Sequence, residues 1–317
     1  MLAISMTSRP ALSWWPANTS FALDLTTGTG MRAGQIRPLN ELMSFSRSTS
    51  RLAVDSTGRW HSFGPNVPAM TDLGLWLEEA RTNVVVDNVG ESSTIMTGVT
   101  TSAWTAGDCP LVGGAARRIS QGAGSSDGFM RLLAMTGGMT YTASRFYKYD
   151  GSTTWIRMSI SDNIANVYFA FLNLTNMSLG ISGAFGSAML VNVKLTPAWN
   201  GWYRLSLTGI LPNTNSACGF FSHSVTGNGQ TIRAAGSYGS WADQVVAGID
   251  AGSPFPTTYG NSREHDTAVA IASAEGTGVS WLSDGTSFKL EPSSGQWPLP
   301  RQNSQVALRT MSILPIT

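Results

Sequence analysis

The stretch Met139–Ser161, MTYTASRFYKYDGSTTWIRMSIS, decides the fold class of this chain. Both of its ends have strand signals, and Asp150-Gly151-Ser152 between them is typical of a turn. The second strand places Trp155 and Arg157 on one face and three aliphatic side chains on the other, namely Ile156, Met158 and Ile160. The pattern predicts a half-buried strand whose outward face has an aromatic ring beside a guanidinium.

Similar signals continue on both sides of this stretch, from about residue 100 to residue 259. Further strands are predicted at Val167–Leu172, Met189–Leu195 and Trp202–Gly209, with turn residues between them. About a dozen short strands at spacings of roughly 8–12 residues, without helical windows, favour an antiparallel β-sandwich. The sequence therefore predicts an all-β protein.

The regions outside the sandwich are predicted to be smaller. We divide the chain into an extended N-terminal arm (residues 1–83), a sandwich domain (84–262) and a short C-terminal β segment (263–317). The first 44 residues show no clear alternation, and Trp14 and Trp15 are expected to lie against a neighbouring subunit. The alternative is an ordinary N-terminal strand that returns to its own domain. In the C-terminal segment, Asp284-Gly285 predicts a hairpin.

The composition limits the classes of function. Charged residues make up 12% of the chain and the net charge is +1, so no nucleic-acid partner is expected. No window of 18 apolar residues exists, which argues against membrane insertion. The N-terminus lacks a basic region and a sustained apolar run, so we interpret it as mature protein. Cys109 and Cys218 are predicted to be buried free thiols, with a single disulfide as the alternative.

Catalytic and metal sites are not indicated. A glycosidase needs two carboxylates across a cleft, but most of the candidate acids sit in turn contexts: Asp162, Asp243, Asp250, Glu264, Asp266 and Asp284. The three histidines, His61, His223 and His265, are scattered along the chain and offer no close pair of metal ligands. No G-x-S-x-G motif frames a serine. We expect no cofactor. A structural Ca²⁺ at an Asp-rich turn stays open, although no D-x-[DN]-x-[DN]-G loop is present.

Carbohydrate binding is the chemistry that the sequence favours. Sugar rings stack their apolar C–H faces on aromatic side chains, while polar side chains bind the hydroxyl groups. The candidate glycan contacts are Trp155, Arg157, Tyr147 and Trp241, and Trp104 and Tyr149 join them if their segments are neighbours. The alternative is that these aromatic residues are core, as most of the 11 tryptophans of a sandwich are expected to be.

Several segments resemble phage virion proteins. Phe45–Asn83 resembles the F-x-R-x-S … D-x-x-G … G-L-x-x-E-x-A-R-T-N segment near the start of tail-fibre, head-fibre and adhesion proteins, with Thr49 in place of the serine. Tyr141–Lys148 resembles their Y-T-x-S-x-Y-x-K element, and Asn200–Arg204 their N-G-W-Y-R element. An approximate W-x-x-Q-x-x-x-G-x-x-P-T-x-Y element begins at Trp241.

The resemblance implies a jelly-roll domain of carbohydrate-binding type in a structural virion protein that is not an enzyme. It implies a fibre, spike or tail-tip protein that attaches to host-surface glycan and contacts other virion proteins. We expect a homo-oligomer, with a trimer preferred. The alternatives are a capsule-degrading glycan hydrolase and a purely architectural subunit that binds no sugar. Arg81 lies beside Glu78 and Glu79, and we expect it to be buried and hydrogen-bonded without a ligand role.

Overall fold

The computed structural model describes residues 19–85, 98–124, 128–162, 165–213, 215–255, 262–263, 266–270, 276–292, 297–299, 301 and 307–315. These residues contain many strands, no α-helix and two single-turn 3₁₀ helices, η1 (Leu39–Glu41) and η2 (Trp199–Gly201). No helix among them is long and apolar enough to cross a membrane. The all-β prediction is confirmed.

The strands fall into three groups along the chain. The first group is short: β1 (Phe21–Asp24), β2 (Thr29–Arg32), β3 (Gln35–Pro38), β4 (Met43–Ser46), β5 (Arg51–Val54), β6 (Trp60–Phe63), β7 (Met70–Thr71), β8 (Gly74–Leu75) and β9 (Arg81–Thr82). Most of the second group are longer: β10 (Val99–Ala103), β11 (Arg117–Gln121), β12 (Phe129–Met135), β13 (Thr140–Lys148), β14 (Trp155–Ser161), β15 (Val167–Asn173), β16 (Ser178–Phe185), β17 (Met189–Pro197), β18 (Tyr203–Ile210), β19 (Asn215–Val225) and β20 (Gly236–Ala247). The third group is β21 (Ser262–Arg263), β22 (Thr267–Ala270), β23 (Gly276–Leu282), β24 (Ser287–Leu290), β25 (Trp297–Pro298) and β26 (Leu308–Pro315).

The second group forms the predicted jelly-roll sandwich. Within the described residues, one antiparallel sheet has the order β10-β11-β20-β13-β18-β17 and the other β12-β19-β14-β15-β16. We call them the six-stranded and the five-stranded sheet. The five segments for which the sequence predicts strands most clearly correspond to β13, β14, β15, β17 and β18. Their order confirms the antiparallel sandwich.

The core of the sandwich follows from the alternation. Ile156, Met158 and Ile160 of β14 have no exposed surface and pack in one cluster with Leu205 and Leu207 of β18. Burying one such side chain contributes roughly 1.5–3 kcal/mol, so this face fixes the orientation of β14. Trp155 and Arg157 consequently point away from the core, as predicted.

Residues 19–83 pair with the C-terminal strands. β1 is antiparallel to β26, with Phe21 opposite Ile313, and β4 is antiparallel to β22, with Met43 opposite Ala270. This pairing corrects the prediction of an extended arm over the described part of residues 1–83, because short strands need a partner to bond their backbone and bury their apolar face. We call β1–β9 with β21–β26 the terminal unit. Trp14 and Trp15 lie outside the described residues, and the domain boundaries at 83 and 262 stay predictions.

Two smaller predictions also have a clear outcome. The hairpin around Asp284-Gly285 is present as β23 and β24, and Gly285 has a φ of +86°, which the turn requires. Cys109 and Cys218 are both buried and lie in different apolar clusters, and no disulfide joins them.

Within the described ranges, the terminal unit packs against one side of the sandwich. Leu52 and Trp60 of the β5–β6 hairpin pack on Phe146, Trp202 and Trp241, on the outer surface of the six-stranded sheet. The outer surface of the five-stranded sheet has its own apolar cluster, and its described members come from that sheet alone: Phe169, Phe171, Val225 and Trp155. Among the described residues, the terminal unit packs on the first of these surfaces, so the second is the candidate for contact with a ligand.

Candidate functional site

The structure brings two of the four predicted glycan contacts together and separates the other two. Trp155 and Arg157 lie two positions apart on the outer face of the five-stranded sheet. Tyr147 and Trp241 belong to β13 and β20 of the six-stranded sheet. The candidate site is therefore built around β14.

Trp155 and Arg157 are both partly exposed. The Trp155 ring packs against the cluster of Phe169, Phe171 and Val225. The guanidinium carbon of Arg157 lies 5.0 Å from the centre of the Phe169 ring, a cation–π contact. An aromatic ring and a guanidinium thus lie side by side on one open surface.

Arg157 has no counter-ion in the described part of the chain. Its Nε is buried without a hydrogen-bond acceptor, and no described carboxylate lies within salt-bridge distance of it. Burial without an opposing charge lowers the pKa of Arg157 from its ordinary value. Arginine stays protonated at neutral pH even so, and an uncompensated guanidinium favours a negatively charged or strongly polar acceptor.

Three phenylalanines lie on the same face as Trp155; Phe169 and Phe171 are buried, and Phe185 is exposed. The Phe169 ring stacks on the Phe185 ring at 5.2 Å with an angle of 21° and meets the Phe171 ring edge-on at 5.7 Å. Phe185 lies on the outermost strand of the five-stranded sheet and is 57% exposed. Sequence reasoning missed Phe169 and Phe171, because the segment 168–172 is apolar and buried at every position and shows no alternation that would separate its two faces.

His223 was also missed as a member of this face. It lies directly opposite Arg157 in the pairing of β14 with β19 and is 2% exposed. Neither ring nitrogen has a hydrogen-bond partner among the described residues. Buried polar groups are nearly always hydrogen-bonded, so this unpartnered imidazole is unusual.

Tyr147 and Trp241 cannot stack on a ligand, and their prediction as glycan contacts is wrong. Tyr147 has no exposed surface, and its hydroxyl lies 2.9 Å from the Ser222 hydroxyl inside the sandwich. Burial also raises the pKa of Tyr147. Trp241 is 7% exposed and packs against Phe146 at 4.8 Å. The register of β13 turns Tyr147 inward, and the hairpin β5–β6 covers the side of β20 that holds Trp241.

The N-G-W-Y-R element holds a loop together. Asp108 accepts hydrogen bonds from the indole nitrogens of Trp104 (2.7 Å) and Trp202 (3.2 Å), from Lys148 (2.8 Å) and from Asn200 (3.0 Å). Burial opposes the ionisation of Asp108, but these donors outweigh it, led by Lys148, and lower the pKa of Asp108. Trp104 and Trp202 therefore have structural partners and lie away from the Trp155 face.

The G-L-x-x-E-x-A-R-T-N element is also structural. Glu78 is buried and lies 3.0 Å from Arg51, while Glu79 points to the other side and is exposed. The side chain of Arg81 is 17% exposed and donates a hydrogen bond to the Asp250 carbonyl, as predicted. Asn83 is buried, and its side-chain oxygen accepts hydrogen bonds from the backbone of Val85 and Val245. These contacts join the terminal unit to the sandwich.

The described acids that were weighed as catalytic candidates all have structural partners. Asp162 accepts hydrogen bonds from the Asn166 backbone and side chain, and Asp284 from Thr286 in its turn. The three others are paired with arginines: Asp243 with Arg145, Asp250 with Arg81, and Asp266 with Arg47 and Arg51. Glu264 lies outside the described residues. In the described ranges, no group of three or more His, Cys, Asp or Glu residues is placed to hold a metal ion.

A cavity of about 560 Å³ lies between the β5–β6 hairpin and the six-stranded sheet, with Trp60, Trp76 and Phe146 in its wall. Two of its charged wall groups, Asp55 and Arg204, are bound within the protein. The Asp55 carboxylate lies 2.7 Å from His61, and Arg204 donates hydrogen bonds to the Gly252 carbonyl (2.6 Å) and to Ser144. This cavity is the seam between the terminal unit and the sandwich.

Comparisons with known proteins return little beyond weak structural similarity. No family model and no curated protein matches the chain. One similar structure is the CBM22-1 xylan-binding domain of Paenibacillus barcinonensis Xyn10C, at 9% identity and a TM-score of 0.33, covering 53% of this chain and 96% of that domain. Another is the CBM22-1-GH10 fragment of Clostridium thermocellum xylanase 10B in complex with xylohexaose, at 12% identity and a TM-score of 0.30, covering 54% of this chain and 28% of that one. Similarity at these TM-scores does not indicate what this chain binds.

Proposed function

We propose that this protein is a non-catalytic structural component of a bacteriophage virion, a fibre, spike or tail-tip protein, and that it attaches the particle to host-surface glycan. The observation on which glycan binding rests is the pair Trp155 and Arg157, side by side and partly exposed on the uncovered sheet. An aromatic ring offers a stacking surface to a sugar ring, and a guanidinium with no acceptor among the described residues offers donors to the oxygens of the sugar.

The virion assignment rests on the resemblance of Phe45–Asn83, Tyr141–Lys148 and Asn200–Arg204 to phage fibre and adhesion proteins. An antibody raised against the protein tests it, because it should label fibres or spikes on purified particles in electron micrographs. Labelling restricted to host cell debris would contradict the assignment.

The glycan-binding part is tested with Trp155→Ala on an array of bacterial surface polysaccharides. We expect binding to fall at least tenfold, because the stacking surface is removed. Trp155 also packs on Phe169 and Phe171, so the variant should lose about 1–3 kcal/mol of stability as well. Trp155→Phe separates the loss of binding from the loss of stability, since it keeps an aromatic ring at the same place.

The matched control is Trp281→Ala, which removes an exposed tryptophan of the terminal unit. It should leave glycan binding unchanged. Equal loss of binding in Trp155→Ala and Trp281→Ala, or no binding by the wild-type protein to any glycan of the array, would refute the proposal. Release of reducing ends from a bound polysaccharide would instead favour a glycan hydrolase.

We further propose a homo-oligomer, with a trimer preferred. The neighbouring edge strands β16 and β17 contain one lysine, the half-buried Lys194. They expose four aliphatic or methionine side chains: Leu179, Ile181, Met189 and Val191. Edge strands of this kind usually carry charges that prevent association, so their apolar character supports contact between copies. Several linked sites raise apparent affinity by roughly 10²–10⁴. Light scattering that gives a 33.7 kDa monomer would contradict this proposal.

The same apolar edge supports the second candidate function, an architectural subunit that binds no sugar. A virion in which neighbouring subunits cover Trp155 and Arg157 would favour that function over glycan attachment.

A further inference from the structure

We propose that the Trp155 face recognises an acidic sugar, one with a carboxylate or sulfate group, which Arg157 binds while the sugar ring stacks on Trp155. This inference rests on the proposed glycan-binding function and names the class of its ligand.

Arg157 gives this face a positive charge. Several interior or seam arginines of the described chain are neutralised by a carboxylate: Arg47 and Arg51 by Asp266, Arg81 by Asp250, and Arg145 by Asp243. Arg157 is also largely removed from water, yet it has neither a carboxylate nor a hydrogen-bond acceptor among the described residues. A desolvated cation without a counter-ion is costly, so a ligand that brings an anion is favoured over a neutral one.

The guanidinium of Arg157 has a fixed orientation. Its plane is held at Phe169 by the 5.0 Å cation–π contact, and the Phe169 ring is itself fixed between Phe171 and Phe185. Its Nε is buried without a partner among the described residues, whereas neither Nη atom is fully buried in that way. A guanidinium fixed in this way offers paired donors that suit the two oxygens of a carboxylate or sulfate.

His223 is a further polar side chain of this face. Its imidazole is opposite Arg157 across the β14–β19 pair, is nine-tenths or more buried, and has no acceptor for its N–H among the described residues. A neutral imidazole always has one N–H to donate. Two adjacent polar side chains of one face, Arg157 and His223, therefore have unpartnered nitrogens among the described residues, which makes this part of the face short of acceptors.

The ligand must also present an apolar surface. Trp155 is partly exposed beside Arg157, and Phe185 is 57% exposed on the adjoining strand. A free inorganic anion would gain nothing from these rings, whereas an acidic sugar has a ring face for Trp155 and a charge for Arg157. The combination points to the acidic sugar.

The test is an NMR titration of the full chain at constant ionic strength, following the Trp155 indole N–H and the Arg157 Nε–H. The four probes are sodium glucuronate, glucose 6-sulfate, glucose and sodium acetate. We expect glucuronate, glucose 6-sulfate or both to shift the two signals, with glucose and acetate at least tenfold weaker. Arg157→Gln should weaken binding of the acidic sugar about tenfold, as expected for loss of a charge-assisted hydrogen bond. Arg157→Lys should restore part of the loss.

The matched control is Arg32→Gln, which removes an exposed arginine on β2 of the terminal unit and should leave the titration unchanged. Equal shifts with glucose and glucuronate would overturn the acidic preference and leave the glycan-binding proposal intact. Equal shifts with acetate would show that the sugar ring contributes nothing, which also overturns the inference. If no probe moves either signal while Trp155→Ala still abolishes binding on the polysaccharide array, only the inference fails. If array binding is absent as well, the proposed function fails with it.

Discussion

Replacing Asp266 by asparagine should destabilise the junction between the two ends of the chain more than any surface change. The Asp266 side chain is 1% exposed. One carboxylate oxygen binds Arg47 at 2.9 Å, and the other binds Arg51 and the Glu78 backbone N–H, the latter at 2.7 Å. Asparagine keeps the size and one acceptor but removes the charge that both guanidiniums face.

The magnitude follows from the burial of the arginines. The side chains of Arg47 and Arg51 have no exposed surface, so water cannot replace the lost carboxylate. Breaking a buried ion pair from one side typically costs about 3–5 kcal/mol. Glu78 still faces Arg51 at 3.0 Å, which places the expected loss near the lower end of that range. At about 2–4 °C per kcal/mol, the melting temperature should fall by roughly 6 °C or more.

The measurement is thermal unfolding followed by near-ultraviolet circular dichroism, with urea unfolding as a second readout. Glu41→Gln is the matched control, because it removes an exposed carboxylate 3.6 Å from Arg37 and should change stability by less than about 1 kcal/mol. If Asp266→Asn melts within 2 °C of the wild-type protein, the network around Asp266 does not hold the terminal unit together.

Three further predictions concern single side chains. The pKa of Asp108 is lowered in the folded state. The contribution of Asp108 to stability is therefore present above its unfolded pKa of about 3.9 and is lost as pH falls through the folded pKa. Melting curves of Asp108→Asn should depend less on pH below about 4 than those of the wild-type protein. Arg81→Ala removes the hydrogen bond to the Asp250 carbonyl and should cost about 1 kcal/mol in urea unfolding without changing glycan binding, and a loss of binding would contradict its structural role. Tyr147→Phe removes the hydroxyl that contacts Ser222 and should cost about 1 kcal/mol; on the glycan array it should bind like the wild-type protein, because the ring lies inside the sandwich.

The sequence predicted the strands of the sandwich well, because their pattern is local. Alternation of buried and exposed residues at β14 and β18, with turn residues between strands, depends only on neighbours along the chain. The pairing of β1 with β26 could not be predicted in this way. Phe21 and Ile313 are 292 positions apart, and neither segment contains a signal that names the other as its partner.

The candidate site was predicted only in part for the same reason. The outward direction of Trp155 and Arg157 followed from the period of β14. The burial of Tyr147 depends on which side of β13 faces the other sheet, and an aromatic-rich strand such as TYTASRFYK has large residues on both sides. His223 and Phe185 join the face through strand pairing and through stacking on Phe169, and neither relation can be read from spacing.

The segments that resemble phage virion proteins and the residues that form the candidate site are different parts of this molecule. Arg47, Glu78, Arg81 and Asn83 bind residues of the sandwich end or of the C-terminal strands, and Asn200 and Trp202 bind Asp108. Residues with so many intramolecular bonds are restricted by the fold, whereas the Nε of Arg157 has no hydrogen-bond partner among the described residues. Under the proposed function, the resemblance in these segments concerns the scaffold, and the choice of glycan is expected to depend on the face around β14.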